Sequence, residues 1–345
     1  VTEEFSERGG SSLSHDALDQ GSGPAGATRG AHALASLQRS VEAGLVGRTA
    51  LVERLLIALL TGGHLLVEGP PGLAKTRAVK RLASGLASSF SRIQCTPDLM
   101  PADLTGTQVF RPETGRFEFV SGPIFHSLVL VDEINRAPPK VQSALLEAMA
   151  ESQVTVGGVT YPLPSPFMVV ATQNSIEHEG TFPLPEAQLD RFLMHVLVEL
   201  PDAASELRIL ELVEREASET SAVLGEPVAG EAILRARETV AGIHLAPALK
   251  DYVVRLVMAT RNDPVASDIQ GEIEHAVSPR GTLALAAGAR ARAYLKGRDY
   301  AVPEDVSAIA PDILSHRLIP TWRAAAEGTT GRTLVARLLE RVEPH

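Results

Sequence analysis

Eight consecutive residues, Gly69-Pro70-Pro71-Gly72-Leu73-Ala74-Lys75-Thr76, combine backbone freedom with one ammonium and one hydroxyl. That set suits the binding of a polyphosphate. Glycines let the main chain approach anionic oxygens, amides at a helix start point toward negative charge, Lys75 adds a mobile cation, and Thr76 offers a hydroxyl to Mg²⁺. Ala74 stands where the general pattern of such loops has a second glycine, so its methyl group could narrow the loop. A second constellation is Asp132-Glu133, which closes the apolar run Leu128-Val129-Leu130-Val131. An acidic pair after a strand can simply cap a helix. Beside a phosphate loop it has a stronger use: Asp132 would hold Mg²⁺ through its water shell, and Glu133 would take the proton from an attacking water.

These groups meet only if a scaffold brings their segments to one edge. Short apolar runs at 65–67, 92–95, 128–131, 168–171 and 195–200 alternate with helical segments. Such near-continuous strands separated by helices predict an α/β fold with a parallel sheet covered on both faces. In such a sheet the phosphate loop and the acidic pair both follow carboxyl ends of strands. Two hairpins interrupt the pattern. Segments 154–156 and 159–161 flank Gly157-Gly158, a two-residue turn able to take the positive φ of a primed hairpin. Phe110 and 117–119 flank 112–115 in a looser version.

After Pro201 helical periodicity dominates, at 205–214, 231–243, 249–260, 282–295 and 303–318, which predicts an all-α second domain. At the other end, 9–30 is rich in Gly, Ser, Ala and Asp and lacks an apolar period, so it reads as a flexible tail. The expected division is therefore a tail at 1–30, an α/β nucleotide-binding domain at 31–201 and a helical domain at 202–345.

Composition narrows the partners. A formal net charge of −10 opposes long-range attraction to nucleic acid or anionic lipid. The single cysteine, Cys95, cannot form an intramolecular disulfide, which favours a reducing compartment. No apolar run is long enough to span a bilayer, and Glu3, Glu4 and Glu7 do not resemble a signal-peptide start, so a cytoplasmic location is expected.

Longer motifs carry a resemblance. Asp132-Glu133-Ile134-Asn135-Arg136-Ala137-Pro138-Pro139-Lys140, continuing through Gln142-Ser143-Ala144-Leu145-Leu146-Glu147-Ala148-Met149, resembles the signature of the MoxR family of AAA+ ATPases. So do Thr96-Pro97-Asp98-Leu99-Met100-Pro101-Ala102-Asp103-Leu104-Thr105-Gly106, Gly122-Pro123-Ile124-Phe125, and the run from Glu179 through Leu189-Asp190-Arg191-Phe192. The matches cover most of 45–200.

The resemblance implies an ATP- and Mg²⁺-dependent ring ATPase, usually hexameric, with a five-stranded P-loop core and a helical lid. It implies that the segment around Phe110 is the family's helix-2 insert, that 154–161 is its hairpin before sensor 1, and that Ala74 is a tolerated variant. Asn174 resembles sensor 1, which orients the lytic water, although Ser175 replaces the proline that commonly follows. Arg191 resembles the arginine finger offered to a neighbouring subunit, and Arg280, in Ser278-Pro279-Arg280, resembles sensor 2. Val46 and Gly47 match the adenine-side loop; with Gly69 to Thr76, Arg77, Asp132 and Arg280 they make the implied ATP/ADP-binding set. The implied output is chaperone-like remodelling, maturation or metal insertion on a client protein, often one with a von Willebrand factor A domain on another chain.

Two other classes compete. Related rings include nucleic-acid motors, against which the acidic balance and the lack of a recognisable DNA-binding appendage weigh. A nucleotide-gated scaffold with little hydrolysis would not need Glu133 and Asn174. His64, His126, His178 and His244 lie at no metal-ligand spacing and read as structural or surface residues, and Cys95 reads as a small buried hydrophobe. Arg136 and Lys140 could bind phosphate across an interface or solvate a helix.

Overall fold

The computed structural model describes residues 24–175, 180–218, 226–261 and 263–344. The chain enters through α1 (Pro24–Glu42) and α2 (Thr49–Thr61). The first helix begins inside the stretch expected to be a tail. Leu34, Leu37 and Val41 bury one face of it. Residues 1–23 of that expected tail lie outside the described residues.

The α/β part follows in order: β1 (Leu65–Glu68), α3 (Lys75–Ser84), β2 (Leu86–Ala87), β3 (Phe90–Gln94), α4 (Pro101–Thr105), β4 (Gly106–Arg111), β5 (Arg116–Ser121) and β6 (Leu128–Asp132). Then come α5 (Pro139–Glu151), β7 (Gln153–Val156), β8 (Val159–Pro162), β9 (Met168–Gln173), α6 (Glu186–Leu189) and β10 (Met194–Leu197). Five of these strands form one parallel sheet in the order β10-β1-β9-β6-β3. Strand alternation sorts its side chains: Leu65, Val67, Leu128, Leu130, Met168 and Val170 join the core on one face. Leu66, Val129, Val131, Val169 and Ala171 join the core on the other. Each Leu, Val or Met among them stabilises the fold by about 1.5–3 kcal/mol on burial, so neither face can be left open.

Boundaries moved in small ways. β3 stops at Gln94, so Cys95 lies one residue past the strand, although its amide still donates to the Asp132 carbonyl at 2.9 Å. β10 ends at Leu197 rather than 200. The β7–β8 hairpin turns on Gly157 (φ 59°) and Gly158 (φ 80°), the two positive values such a turn needs. The hairpin expected to be looser is the longer one: β4 and β5 pair over six positions, from Gly106↔Ser121 to Arg111↔Arg116. The two hairpins touch through Phe119 stacked on Tyr161, 4.0 Å between centroids.

The second part holds α7 (Ala203–Ser218), β11 (Val228–Ala229), α8 (Gly230–Ala241), α9 (Pro247–Met258), β12 (Ile273–His275) and α10 (Pro279–Leu295). It ends with α11 (Pro303–Leu314), β13 (Ile319–Pro320), α12 (Trp322–Ala326) and α13 (Gly331–Arg341). The helical expectation holds, with two minor additions: β11 pairs with β2, and β12 with β13. α10 starts earlier than expected. Ser278 caps it by accepting the Arg280 amide at 3.3 Å, so Arg280 sits in the first turn rather than ahead of the helix. Asp305, fully buried, caps α11 through the Val302 amide at 2.9 Å and takes guanidinium bonds from Arg292 and Arg298. The helical part shares one apolar core with a face of the sheet, from Leu65 to Ile309 and Leu338. No described helix is long and apolar enough to cross a membrane.

Candidate nucleotide site

Because β1, β9 and β6 are neighbours and parallel, their carboxyl ends lie side by side, and the residues that follow them converge. Lys75 Nζ, at the start of α3, donates to the carbonyls of Gly69, Pro70 and Gln173, the last two at 3.2 Å, and to Asn174 Oδ1 at 3.0 Å. Asn174 Nδ2 in turn donates to Glu133 Oε1 at 3.2 Å. Thr76 Oγ1 lies 3.2 Å from each carboxylate oxygen of Asp132. The phosphate loop, the acidic pair and Asn174 thus form one connected cluster.

The loop's backbone explains its residues. A side chain at Gly69 would put its Cβ 2.4 Å from the Val198 carbonyl, whereas Gly72 (φ 83°) faces open space. Ala74 has φ 59° and ψ 21°, the left-handed conformation for which a glycine is the usual choice. A non-glycine residue there stores about 1–2 kcal/mol. Glu133 adopts the same region, φ 59° and ψ 52°, immediately after β6. That turn swings its carboxylate away from the strand line and toward Asn174.

Several partners were not singled out in the sequence. Thr172 donates to Asp132 Oδ1 at 2.8 Å and accepts the Glu133 amide at 3.1 Å, so one hydroxyl orients both acids. It lies two residues before Asn174, on the same face of the chain by strand alternation, and that spacing was the available signal. Arg92 Nε meets Asp132 Oδ2 at 2.8 Å, and Gln94 Nε2 meets Glu133 Oε2 at 3.0 Å. Both project from the edge strand β3, whose polar alternate positions marked a second role. Arg136 Nε lies 3.3 Å from Glu133 Oε2, while Lys140 is exposed on α5. Beneath the loop, the His195 hydrogen bond at 2.8 Å holds the Glu68 carboxyl below its usual range, with help from Lys75 and against the effect of burial.

Next to the loop lies a cavity of about 150 Å³ with Val46, Leu73, Ala74, Ile209, Leu212 and Val213 in its wall. Its apolar lining suits a flat base. Gly47 (φ 68°) sits beside it, where a side chain would come within 3.3 Å of Ser205 Oγ. Arg77, at the rim, donates to the Gly44 carbonyl at 3.1 Å and pairs with Glu216 of α7, tying the phosphate helix to the second domain. The α7 contribution was missed because 209, 212 and 213 read only as an amphipathic helix face. A larger cavity of about 360 Å³ lies against α1 and Val228-Ala229. It has no cationic group or glycine loop in its wall and does not suit a polyphosphate.

Two expected residues lie elsewhere. Arg191 and Asp190 precede β10, and the Leu193 amide bonds to the His64 carbonyl just before β1, so this segment sits at the amino edge of the sheet. At about 3.3 Å per residue, a four-residue strand separates the two edges by roughly 13 Å. Arg191 Nη1 donates to the Leu146 carbonyl at 2.9 Å, and Arg280 Nη1 reaches Asp190 Oδ2 at 3.4 Å. Both residues are exposed, and these bonds tie them to Leu146 and Asp190 rather than to the phosphate loop.

The remaining candidates are structural. His64 is buried with both ring nitrogens in use, accepting the Val169 amide at 3.0 Å and facing the Met149 carbonyl at 3.1 Å; burial lowers its pKa to about 4. His126 bonds the Pro123 carbonyl, His244 bridges to Tyr300, and His178 lies outside the described residues. Burial, with Asp132 and Glu133 nearby, pushes the Cys95 thiol up to about 12, which makes it inert. Among the described residues no cluster of His, Cys, Asp and Glu could hold a metal ion by itself.

Comparison with known proteins agrees with this geometry. The family described as "ATPase family associated with various cellular activities (AAA)" matches residues 64–194, and the AAA lid domain matches 265–338. The chain is 45% identical over 300 residues to Chaperone MoxR1 of Mycobacterium tuberculosis, covering 86% of this chain and 78% of that protein. It is 34% identical to Protein MoxR of Methylorubrum extorquens, covering 83% and 87% of the two chains. A crystal structure of a protein from Cytophaga hutchinsonii superposes with a TM-score of 0.84 at 40% identity, covering 92% of this chain and 97% of that one. With the phosphate loop, the acidic strand end, the five-stranded parallel sheet and the helical lid all in place, the chain belongs to the MoxR family of AAA+ ATPases.

Proposed function

We propose that this chain binds ATP and Mg²⁺ at the carboxyl edge of its sheet and hydrolyses the γ-phosphate bond inside a ring of identical subunits, using the cycle to remodel a client protein. The observation that carries the proposal is the unbroken set of contacts from Lys75 through Asn174 to Glu133, with Thr76 against Asp132 beside it. The donor set fits the metal: a hydroxyl and a carboxylate are hard oxygen ligands, and Thr76 and Asp132 would hold it, directly or through water. Mg²⁺, when bound, neutralises phosphate charge. The chain's own residues do the rest. Lys75 exchanges its carbonyl partners for phosphate oxygens, Glu133 accepts the proton of the attacking water, and Asn174, bonded to that carboxylate, orients the water. Thr172 keeps both acids aimed.

Val46 and Gly47, with the apolar face of α7, would receive the adenine, and Arg77 would close its rim. Arg191 and Arg280 would complete the site of the next subunit, since their own phosphate loop is at the opposite edge of the sheet. The working assembly is a hexamer. Closure of the helical part on nucleotide would move the β4–β5 and β7–β8 hairpins, whose tips carry exposed Phe110, Phe117 and Val159, against a client. That client is a separate chain, with a von Willebrand factor A domain as the first candidate, met in the cytoplasm.

Glu133→Gln tests the reading. ATP should still bind, steady-state turnover should fall by about 10²–10⁴, and the stalled ring should retain its client on an affinity column in ATP. Wild-type turnover in Glu133→Gln would remove the proposal.

A further inference from the structure

Residues 190–193 carry Arg191 to the amino edge of the sheet, and a side chain from the helical part grips their main chain. Arg317, in the single turn Ser315–Arg317 that follows α11, donates from Nε to Asp190 Oδ1 at 2.7 Å. Its Nη2 donates to the carbonyls of Asp190 at 3.2 Å and Phe192 at 2.7 Å, and its Nη1 to the Leu193 carbonyl at 3.2 Å. Nη1 also meets the carbonyl of Ile313, near the end of α11. A guanidinium has five N–H groups, and all five are engaged. The side chain is 4% exposed. The other oxygen of Asp190 faces Arg280 Nη1 and Ser278 Oγ, and His316 Nε2 meets the Phe192 carbonyl at 3.3 Å.

This arrangement divides the labour among three arginines. One is buried, with three of its five bonds to carbonyls that flank Arg191 and a fourth to the Asp190 carboxylate; the other two, Arg191 and Arg280, are exposed on the same ledge. α10, which carries Arg280, packs on α11, which leads into Arg317. Resting on the reading of Arg191 as a residue that acts on the neighbouring subunit, we propose that Arg317 is a positioning residue. It locks segment 190–193 to the helical part, so that Arg191 and Arg280 are presented to the next subunit's nucleotide as one rigid unit that moves with the lid. A loosened ledge need shift by only about 1 Å to lose roughly 10²-fold in rate. Lysine keeps the charge of Arg317 but has three clustered donors, which cannot span acceptors held in a planar fork.

The test uses the assembled full chain and subunit mixing. Arg317→Lys should lower kcat by about 10²-fold while the affinity for a fluorescent ADP analogue stays within about twofold. Adding excess Glu133→Gln subunits, whose own turnover is lower by about 10²–10⁴ but whose ledge is intact, should restore turnover per Arg317→Lys subunit, because each impaired ledge then serves only near-silent sites. A mutation that merely damaged its own site would not be rescued this way. Asp190→Asn keeps an acceptor oxygen and should show the same pattern at about 10-fold, and it carries the test if Arg317→Lys does not fold. Arg191→Ala is the control. If Arg191→Ala is impaired and rescued while Arg317→Lys and Asp190→Asn turn over at wild-type rate, or are impaired without rescue, the positioning role is wrong. Wild-type turnover in Arg191→Ala removes the cross-subunit reading itself, and the clamp with it.

Discussion

The two edges of the central sheet are built on opposite plans. At the carboxyl edge, Lys75, Thr76, Asp132, Glu133, Thr172 and Asn174 already touch one another within a single chain. At the amino edge, Arg191 and Arg280 sit exposed on a ledge held by Arg317, with no phosphate-binding element beside them among the described residues. Under the proposed function, one chain would hold a complete binding half and a detached stabilising half. Their separation by the length of a strand is what would make hydrolysis depend on assembly.

The strongest way to break this comparison is Arg191→Ala, which should cost about 10³–10⁵ in turnover and recover on mixing with Glu133→Gln subunits. Lys75→Ala should lose turnover without recovering in the same mixture, since Lys75 Nζ reaches the loop carbonyls and Asn174 of the same chain. Equal behaviour of the two variants would erase the distinction between the edges.

A smaller effect sharpens the structural side of the amino edge. Neutral His64 accepts the Val169 amide, and a protonated ring could no longer accept it. With a folded pKa of about 4 against the usual 6.5, the unfolded chain takes the proton first. The stability contributed is therefore complete above pH 6.5 and is lost as pH falls toward 4, by roughly 3 kcal/mol in all. Urea titrations of wild type and His64→Gln across that window should show the slope flatten in the variant; parallel curves would contradict the assignment.

The smallest effect lies at the carboxyl edge. Ala74→Gly removes a left-handed alanine and should raise stability by up to about 1 kcal/mol, offset in part by greater freedom of the unfolded chain. Thermal melts should place the variant at or slightly above wild type. A marked loss would mean that the Ala74 methyl contributes more by packing in the cavity it lines than its backbone conformation costs.

Much of the carboxyl edge was legible before any fold was known, because its residues come in contiguous runs. Gly69 to Thr76 directly follows β1 and Asp132-Glu133 straddles the end of β6, so local pattern and parallel topology together predict their meeting. The ledge at the amino edge was not legible in that way. Arg317 follows Asp190 by 127 positions, and nothing in the run Ser315-His316-Arg317 marks which carbonyls it grips. The face of α7 that closes the cavity beside the phosphate loop was equally hidden, since an apolar helix stripe reads the same whether it meets a core or a ligand. The Arg92 bond to Asp132 depends on β3 lying next to β6, a strand order that alternation alone does not specify.

What the sequence determined by itself was the set of elements and the chemistry of its motifs, because backbone propensity, side-chain period and phosphate-loop geometry act over a few residues. What only the tertiary structure decided was adjacency. The strand order β10-β1-β9-β6-β3 placed Asn174 between Lys75 and Glu133 and sent Arg191 to the far edge. Adjacency depends on how whole faces bury apolar surface against one another, a non-local balance that a short motif does not encode.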